Sequence, residues 1–309
     1  MRIAVPDLVS NSYFPVVAAA TLGVFRQQGI DVAVELVSPL PDCMQALRDG
    51  RVDFVGASAH APLLAFPEWQ GAKLLCAQSQ GTYWFLVTRK ELGITRGDLA
   101  ALKGRRIAAV PFVGAALRRM LAAVGLDAKR DGIEIMMPEE AKAPGVNFGV
   151  AAARALKQGT IDGFFANGMG AEIAVKQGIG VVTLDVRRDP GPKQWFGYTM
   201  PAVATTDRLI RDDPGAAAAV IRGIIKVHAM LKDDVALATQ VGETLFPPAE
   251  AAVIARIVAR DLPFYDHRIS ESAVRSINQY SREVGLLRGD PSFADVVATR
   301  VIDCWDERT

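Results

Sequence analysis

The chain has 309 residues, half of them hydrophobic, which is enough for two domains of ordinary size with filled cores. Its 35 basic residues nearly cancel 34 acidic ones, for a net charge of +1, so no global field draws it to nucleic acid or to an anionic membrane. The apolar stretch 16–25 is about half the length a membrane span needs and contains Gly23, so no membrane span is expected there.

As written, the chain opens on Met1-Arg2 and enters the strand-like Ile3-Ala4-Val5 without a leader's apolar region. The expectation is therefore cytoplasmic for the chain as written, and periplasmic if a leader has been trimmed. Residues 2–5 read as a strand, 15–28 as a helix stopped by Gly29, and 30–37 as an alternating strand. A helix then runs to Gly50, and strand 52–56 closes a β-α-β-α-β unit, which the handedness rule makes a parallel sheet flanked by helices. Strands follow at 73–77 and 83–88. A second series repeats the scheme, with strand 106–110, helix 114–124, strand 133–137, helix 149–158, strand 161–165 and strand 180–185. The segment 187–197, with Asp189-Pro190-Gly191-Pro192, reads as an exposed connection, 198–205 as a strand, and the rest from Thr206 as almost entirely helical, punctuated at Pro214, Pro247-Pro248 and Pro263. Cys43, Cys76 and Cys304 lie far apart without metal or disulfide spacing and read as buried thiols. No metal site and no cofactor are expected.

Two stretches say nearly the same thing. Ala46-Leu47-x-x-Gly50-x-Val52-Asp53-Phe54 is matched by Ala155-Leu156-x-x-Gly159-x-Ile161-Asp162-Gly163-Phe164. In each, an amphipathic run ends at a Gly suited to the left-handed cap, and a short apolar run follows. Two such units imply two α/β lobes, the aspartates themselves being structural. With 198–205 placed beside 83–88, the first lobe comprises 1–89 and 198–309 and the second 90–197, so two neighbouring crossings make a hinge that closes on a ligand.

The residues 18–32, with Gly23-Val24-Phe25-Arg26-Gln27-Gln28-Gly29-Ile30, then 46–54, then Leu102-Lys103-Gly104-Arg105-Arg106-Ile107-Ala108, resemble the type II periplasmic solute-binding proteins of ABC transporters. The similarity is to the branch that binds nitrate, alkanesulfonates and thiamine-pyrimidine precursors. It implies a two-lobe α/β fold, each lobe a mostly parallel sheet flanked by helices, with the ligand in the cleft at the hinge. It also implies an ABC permease and ATPase as partners. More distantly the chain resembles enzymes on the same scaffold, the fungal thiamine-pyrimidine synthase, an aromatic sulfinate desulfinase and decarboxylase-like relatives. The synthase's cysteine run is absent here, and the first loop lacks the desulfinase's thiol.

Four loops are candidates for the cleft, since α/β proteins bind ligands beyond the carboxyl ends of their strands. In the first, Ser10, Asn11 and Ser12 either cap the helix near Pro15 or meet the ligand, while Tyr13 and Phe14 stack on it or enter the core. In the second, Ser58 and His60 precede Pro62, His60 being either a satisfied structural residue or a functional one. The third offers Phe112 and Gly114, whose missing side chain permits close backbone approach. The fourth offers Asn167, Met169 and Glu172, with Gly168 and Gly170 on either side of Met169. Glu172, placed in a first helical turn, either complements the dipole or meets the ligand. Trp84 and Trp195 stand near the crossings as hinge packing or ligand wall.

None of these loops contains Arg or Lys, the usual partners of sulfonate, phosphate or carboxylate. The expected ligand is a small planar or nitrogen-bearing organic molecule, captured for ABC-type uptake without chemistry. The alternative is a cytoplasmic enzyme, pyrimidine-synthase-like or decarboxylase-like, in which His60 and Glu172 supply acid–base catalysis.

Overall fold

A computed structural model describes residues 1–143 and 146–307. In chain order, β1 (Arg2–Val5), α1 (Phe14–Thr21), α2 (Val24–Gln27), β2 (Ala33–Leu36), α3 (Leu40–Arg48), β3 (Phe54–Ser58) and β4 (Ala72–Ala77) come first. Then follow β5 (Phe85–Arg89), β6 (Arg106–Ala108), α4 (Pro111–Ala123), β7 (Glu134–Met136), α5 (Phe148–Gln158), β8 (Gly163–Ala166), α6 (Gly168–Lys176) and β9 (Gly180–Asp185). The chain ends with β10 (Pro201–Thr206), α7 (Asp207–Asp212), α8 (Pro214–Asp233), α9 (Leu237–Leu245), α10 (Pro248–Asp261), α11 (Glu271–Glu283) and α12 (Phe293–Val296).

These elements form two compact units, Met1–Gly81 with Gly197–Thr309, and Thr82–Phe196. Unit 1 holds a sheet of order β2-β1-β3-β10-β4 and unit 2 one of order β7-β6-β8-β5-β9. In unit 1, β1 pairs in parallel with β2 and β3, and β10 runs antiparallel between β3 and β4. In unit 2, β6 pairs in parallel with β7 and β8, and β5 runs antiparallel between β8 and β9. Even the irregularity recurs, between Val203 and Ala204 in one antiparallel strand and between Leu86 and Val87 in the other.

The strand expected beside 198–205 therefore lies elsewhere. Segment 83–88 supplies β5 of the second sheet, and the chain passes between units at Gly81/Thr82 and Phe196/Gly197. Each sheet takes its antiparallel fourth strand from the segment that has just arrived from the other unit. Both segments are short apolar runs, and nothing in their periodicity specifies which sheet they join.

The repeated motif has a common structure. Gly50 and Gly159 stand at φ 70° and 72°, the left-handed conformation glycine adopts cheaply. The Gly50 N–H donates to Leu47 and the Arg51 N–H to Ala46; in the second copy the Gly159 N–H donates to Leu156 and the Thr160 N–H to Ala155. Asp53 then accepts the backbone N–H of Arg2 at 2.7 Å, and Asp162 that of Arg106 at 2.9 Å. Each carboxylate thus anchors the first residue of the neighbouring parallel strand. Asp162 goes further and accepts from the Arg106 and Arg89 guanidinium groups, which together with the backbone bond hold it below the ordinary carboxylate range despite its partial burial.

The helix expected over 15–28 is broken at Gly23, which sits at φ 69° and separates α1 from α2. Residues Phe14 to Ala19 are buried all round, so α1 is a core helix rather than an amphipathic one. The 20-residue α8 is long and apolar enough to cross a membrane, yet 61% of that window is buried inside the protein. Gly223 on α8 explains part of that packing: a Cβ there would meet the Phe25 ring at 2.5 Å.

Candidate functional site

In unit 1 the loops after β1 and β3, two adjacent parallel strands, carry Ser10 to Phe14 and Ser58 to His60. Tyr13, the N-cap residue of α1, makes no side-chain capping hydrogen bond. Instead Gln78, at the end of β4 and fully buried, accepts the Val16 N–H through Oε1 at 3.2 Å and donates through Nε2 to the Ala202 carbonyl at 3.1 Å. Its own carbonyl accepts from His228 Nε2 on α8 at 2.8 Å. One residue thus joins α1, β4, β10 and α8.

Ser10 Oγ accepts the Ser12 N–H, whereas Ser12 Oγ and Asn11 Oδ1 are buried without a hydrogen-bond partner among the described residues. Asn11 Nδ2 donates to Asp261 Oδ2 at 2.7 Å, and both residues are 3% exposed or less. A buried polar atom left unpaired costs about 1–3 kcal/mol, and two such atoms sit on one loop at a strand's carboxyl end, where α/β proteins place ligands. Phe14 does not share that role: it is fully buried and packs edge-on against Phe246. Tyr13 is 7% exposed at the cap position.

His60 is buried at the start of the 3-10 turn Ala61–Leu64, with Ser58 buried two residues before it. Its Nδ1 lies 2.9 Å from Thr199 Oγ1, and its ring meets Tyr280 edge to face at 5.1 Å, 84° between planes. Tyr280 in turn stacks on Tyr198 at 4.5 Å and 15°, and its hydroxyl is buried with no hydrogen-bond partner among the described residues. Burial drives the His60 pKa down to about 3, so the ring is neutral near pH 7. Tyr280 reaches this place because α11 is tied to the loop behind His60. Trp69 Nε1 donates to Asn278 Oδ1, and Glu68 accepts the N–H groups of Arg288 and Gly289. Those bonds hold Glu68 and Trp69 at φ 56° and 63°, a conformation such residues rarely adopt.

In unit 2 the expected contact residues lie in or beside the helices that follow β6 and β8. Helix α4 begins at Pro111, so Phe112 and Gly114 lie in its first turn rather than in a loop; Pro at the first position starts the helix early. Gly114 makes room for Ile135, whose Cγ2 would stand 3.1 Å from an added Cβ. Asn167 is the N-cap of α6, its Oδ1 accepting the Met169 N–H at 3.1 Å. Met169 is fully buried. Gly170 lies against the backbone of α5: an added Cβ would stand 2.8 Å from Gly149 Cα. Glu172 lies beyond the first turn of α6, which contains no acidic residue, because the helix begins at Gly168. Trp84 is 2% exposed and packs edge-on against Phe165, and Trp195 lies against Gly191. An open depression of about 400 Å³ lined by Arg89, Lys157 and Gly159 sits at the other end of β8 from Asn167.

Sequence reasoning did not single out Gln78, Thr199, Tyr198, Asp261 or Tyr280. Each reaches the site from a distant part of the chain, and no local pattern marks it. Among the described residues no group of three or more His, Cys, Asp or Glu side chains is placed to hold a metal ion.

The paired sheets and strand-end loops define the type II periplasmic-binding-protein fold, and known structures share it. The nitrate-binding protein NrtA from Synechocystis PCC 6803 superposes with a TM-score of 0.74 at 14% identity, covering 99% of this chain and 86% of that one. The alkanesulfonate-binding protein SsuA from Xanthomonas axonopodis pv. citri, bound to MOPS, gives 0.70 at 17% identity over 97% and 96%. The desulfurization enzyme DSZB gives 0.69 at 14% identity over 99% of both chains. At these identities the likeness is one of fold. No curated protein matches the chain. Residues 10–232 match the family model described as NMT1/THI5 like, and the chain belongs to that family.

Proposed function

We propose that this protein is a substrate-binding protein for ABC-type uptake, in which units Met1–Gly81 with Gly197–Thr309 and Thr82–Phe196 act as two lobes that close on a small organic molecule. The observation that carries this reading is the pair of buried acceptor atoms, Asn11 Oδ1 and Ser12 Oγ, without a hydrogen-bond partner among the described residues, on the loop after β1 in a chain of this family. A ligand that touches both lobes only when they are closed shifts the population toward closure. In unit 1 the contacts are assigned to Asn11, Ser12, Tyr13, Ser58 and His60, with Tyr280 behind His60. In unit 2 the segments after β6 and β8 supply the opposing surface, Phe112 and Glu172 being its partly exposed side chains.

The sites of NrtA and SsuA are named for anions. Here the four loops hold no Arg or Lys, and His60 is neutral near pH 7, which favours a planar, nitrogen-bearing ligand. Export to the periplasm, with a permease and an ATPase as partners, is favoured over the cytoplasm, since NrtA is a periplasmic protein. A thermal-shift panel of pyrimidines, aromatic amines, nitrate and alkanesulfonates is the test. The expected result is stabilisation by a nitrogen-bearing ring, by about 2.7 kcal/mol at a hundredfold excess over Kd. Stabilisation by sulfonate or nitrate alone contradicts the ligand class.

The fold of DSZB favours a second reading, catalysis on the same scaffold with His60 and Glu172 as acid and base. It fits the site less well, because a ring whose pKa lies near 3 is neither an imidazolium acid nor an effective base at pH 7. Turnover that disappears in His60→Ala while binding survives would establish it.

A further inference from the structure

Asn11 is the one buried amide of the first loop, and its two ends are not equivalent. Its Nδ2 is spent on Asp261, the last residue of α10, at 2.7 Å. An ionised carboxylate only accepts hydrogen bonds, so the amide's nitrogen must face Asp261 and its oxygen must face away. That oxygen is buried and has no hydrogen-bond partner among the described residues. The second carboxylate oxygen of Asp261 lies 3.6 Å from Arg260 Nε, an ion pair that places positive charge on the side of the carboxylate away from Asn11. Asp261 is itself 2% exposed, so water does not offer it a substitute for Asn11.

We infer that Asp261 is a positioning residue that sets the polarity of the ligand contact: it holds Asn11 with its carbonyl toward the ligand, so the first loop accepts a hydrogen bond and selects molecules bearing an N–H donor. The inference rests on the ligand-capture reading and names the feature of the ligand that this site tests. A sulfonate or nitrate brings only acceptor oxygens and would meet the Asn11 oxygen with like polarity. Neighbouring Ser12 Oγ, buried and also without a partner, both donates and accepts and so adapts to whatever atom lies beside the donor. The C-terminal helices thereby acquire a task beyond covering the sheet, since α10 reaches the ligand loop through a contact between residues 250 positions apart.

Asp261→Asn tests this by reversing the polarity. Arg260 keeps the oxygen of the new amide on its side, so the new NH₂ faces Asn11, whose own amide turns over and presents its NH₂ to the ligand. The probes are 4-aminopyrimidine, 4-methoxypyrimidine, in which the donor is removed from the same ring, and benzenesulfonate, measured by calorimetry on the full chain. The wild-type protein is expected to prefer the amino ring by about tenfold, the consequence of leaving one buried acceptor unpaired. In Asp261→Asn that preference collapses or inverts and benzenesulfonate gains. If Asp261→Asn fails to fold, Asn11→Ala serves, and the preference there should fall to about one, no acceptor being left to discriminate. Equal affinity for both rings in the wild type, binding of neither, or an unchanged preference in a folded variant overturns the inference. A wild-type protein that closes on benzenesulfonate and ignores both rings overturns it while leaving ligand capture intact. One that prefers the amino ring without closing has the reverse meaning.

Discussion

His60 and His228 are buried imidazoles with different tasks, one beside the candidate ligand loop and one on the carbonyl of Gln78. Burial lowers both from the ordinary value of 6.5 to about 3. In the unfolded chain both take up a proton near pH 6.5, so between about 3 and 6.5 the unfolded state binds more protons than the folded one. Stability is therefore complete above pH 6.5 and declines as pH falls through that window, with a slope of up to about 1.4 kcal/mol per pH unit for each ring. Urea midpoints at pH 7 and pH 5 check this: the drop between them should shrink in His60→Gln. An undiminished drop would mean that His60 titrates normally. The sequence separates His60, in a strand-end loop, from His228, in a helical segment, but their shared burial comes from elements far away in the chain and leaves no local trace.

At the scale of elements, α5 and α6 meet through two glycines. The backbone of Gly149 occupies the place a Gly170 side chain would need. Gly170→Ala should destabilise unit 2 by about 1–3 kcal/mol, since backbone rather than a flexible side chain must shift. Thermal unfolding reads this directly; an unchanged Tm would mean the two helices are not so closely apposed. The glycines flanking Met169 are plain in the sequence, but that Gly170 meets Gly149 of a neighbouring helix is not. The twin turns were fully legible, because a Gly cap and an Asp before an apolar run are local signals. The caps of α1 were not. Three polar residues stand in its own loop, yet the Val16 N–H goes to Gln78, 62 positions away. Local candidates for capping are visible in a sequence, while the side chain that wins the competition is decided by tertiary packing.

For the whole molecule, two sheets with the same order, the same antiparallel fourth strand and a break at the same place explain why one motif occurs twice. The two-lobe α/β class could be read from the recurrence. The exchange of β5 and β10 could not, because strand pairing between distant segments leaves no periodic trace. The helical third is equally opaque in sequence, although it supplies Asp261 to the first loop and Tyr280 to His60. Ligand-driven closure of the two units is the claim on which the functional reading depends. Small-angle X-ray scattering, with and without the ligand that stabilises the protein most in the thermal-shift panel, measures it directly. Closure predicts a smaller radius of gyration at saturation, recovered when the ligand is dialysed away. An unchanged radius of gyration with the site demonstrably occupied would contradict it.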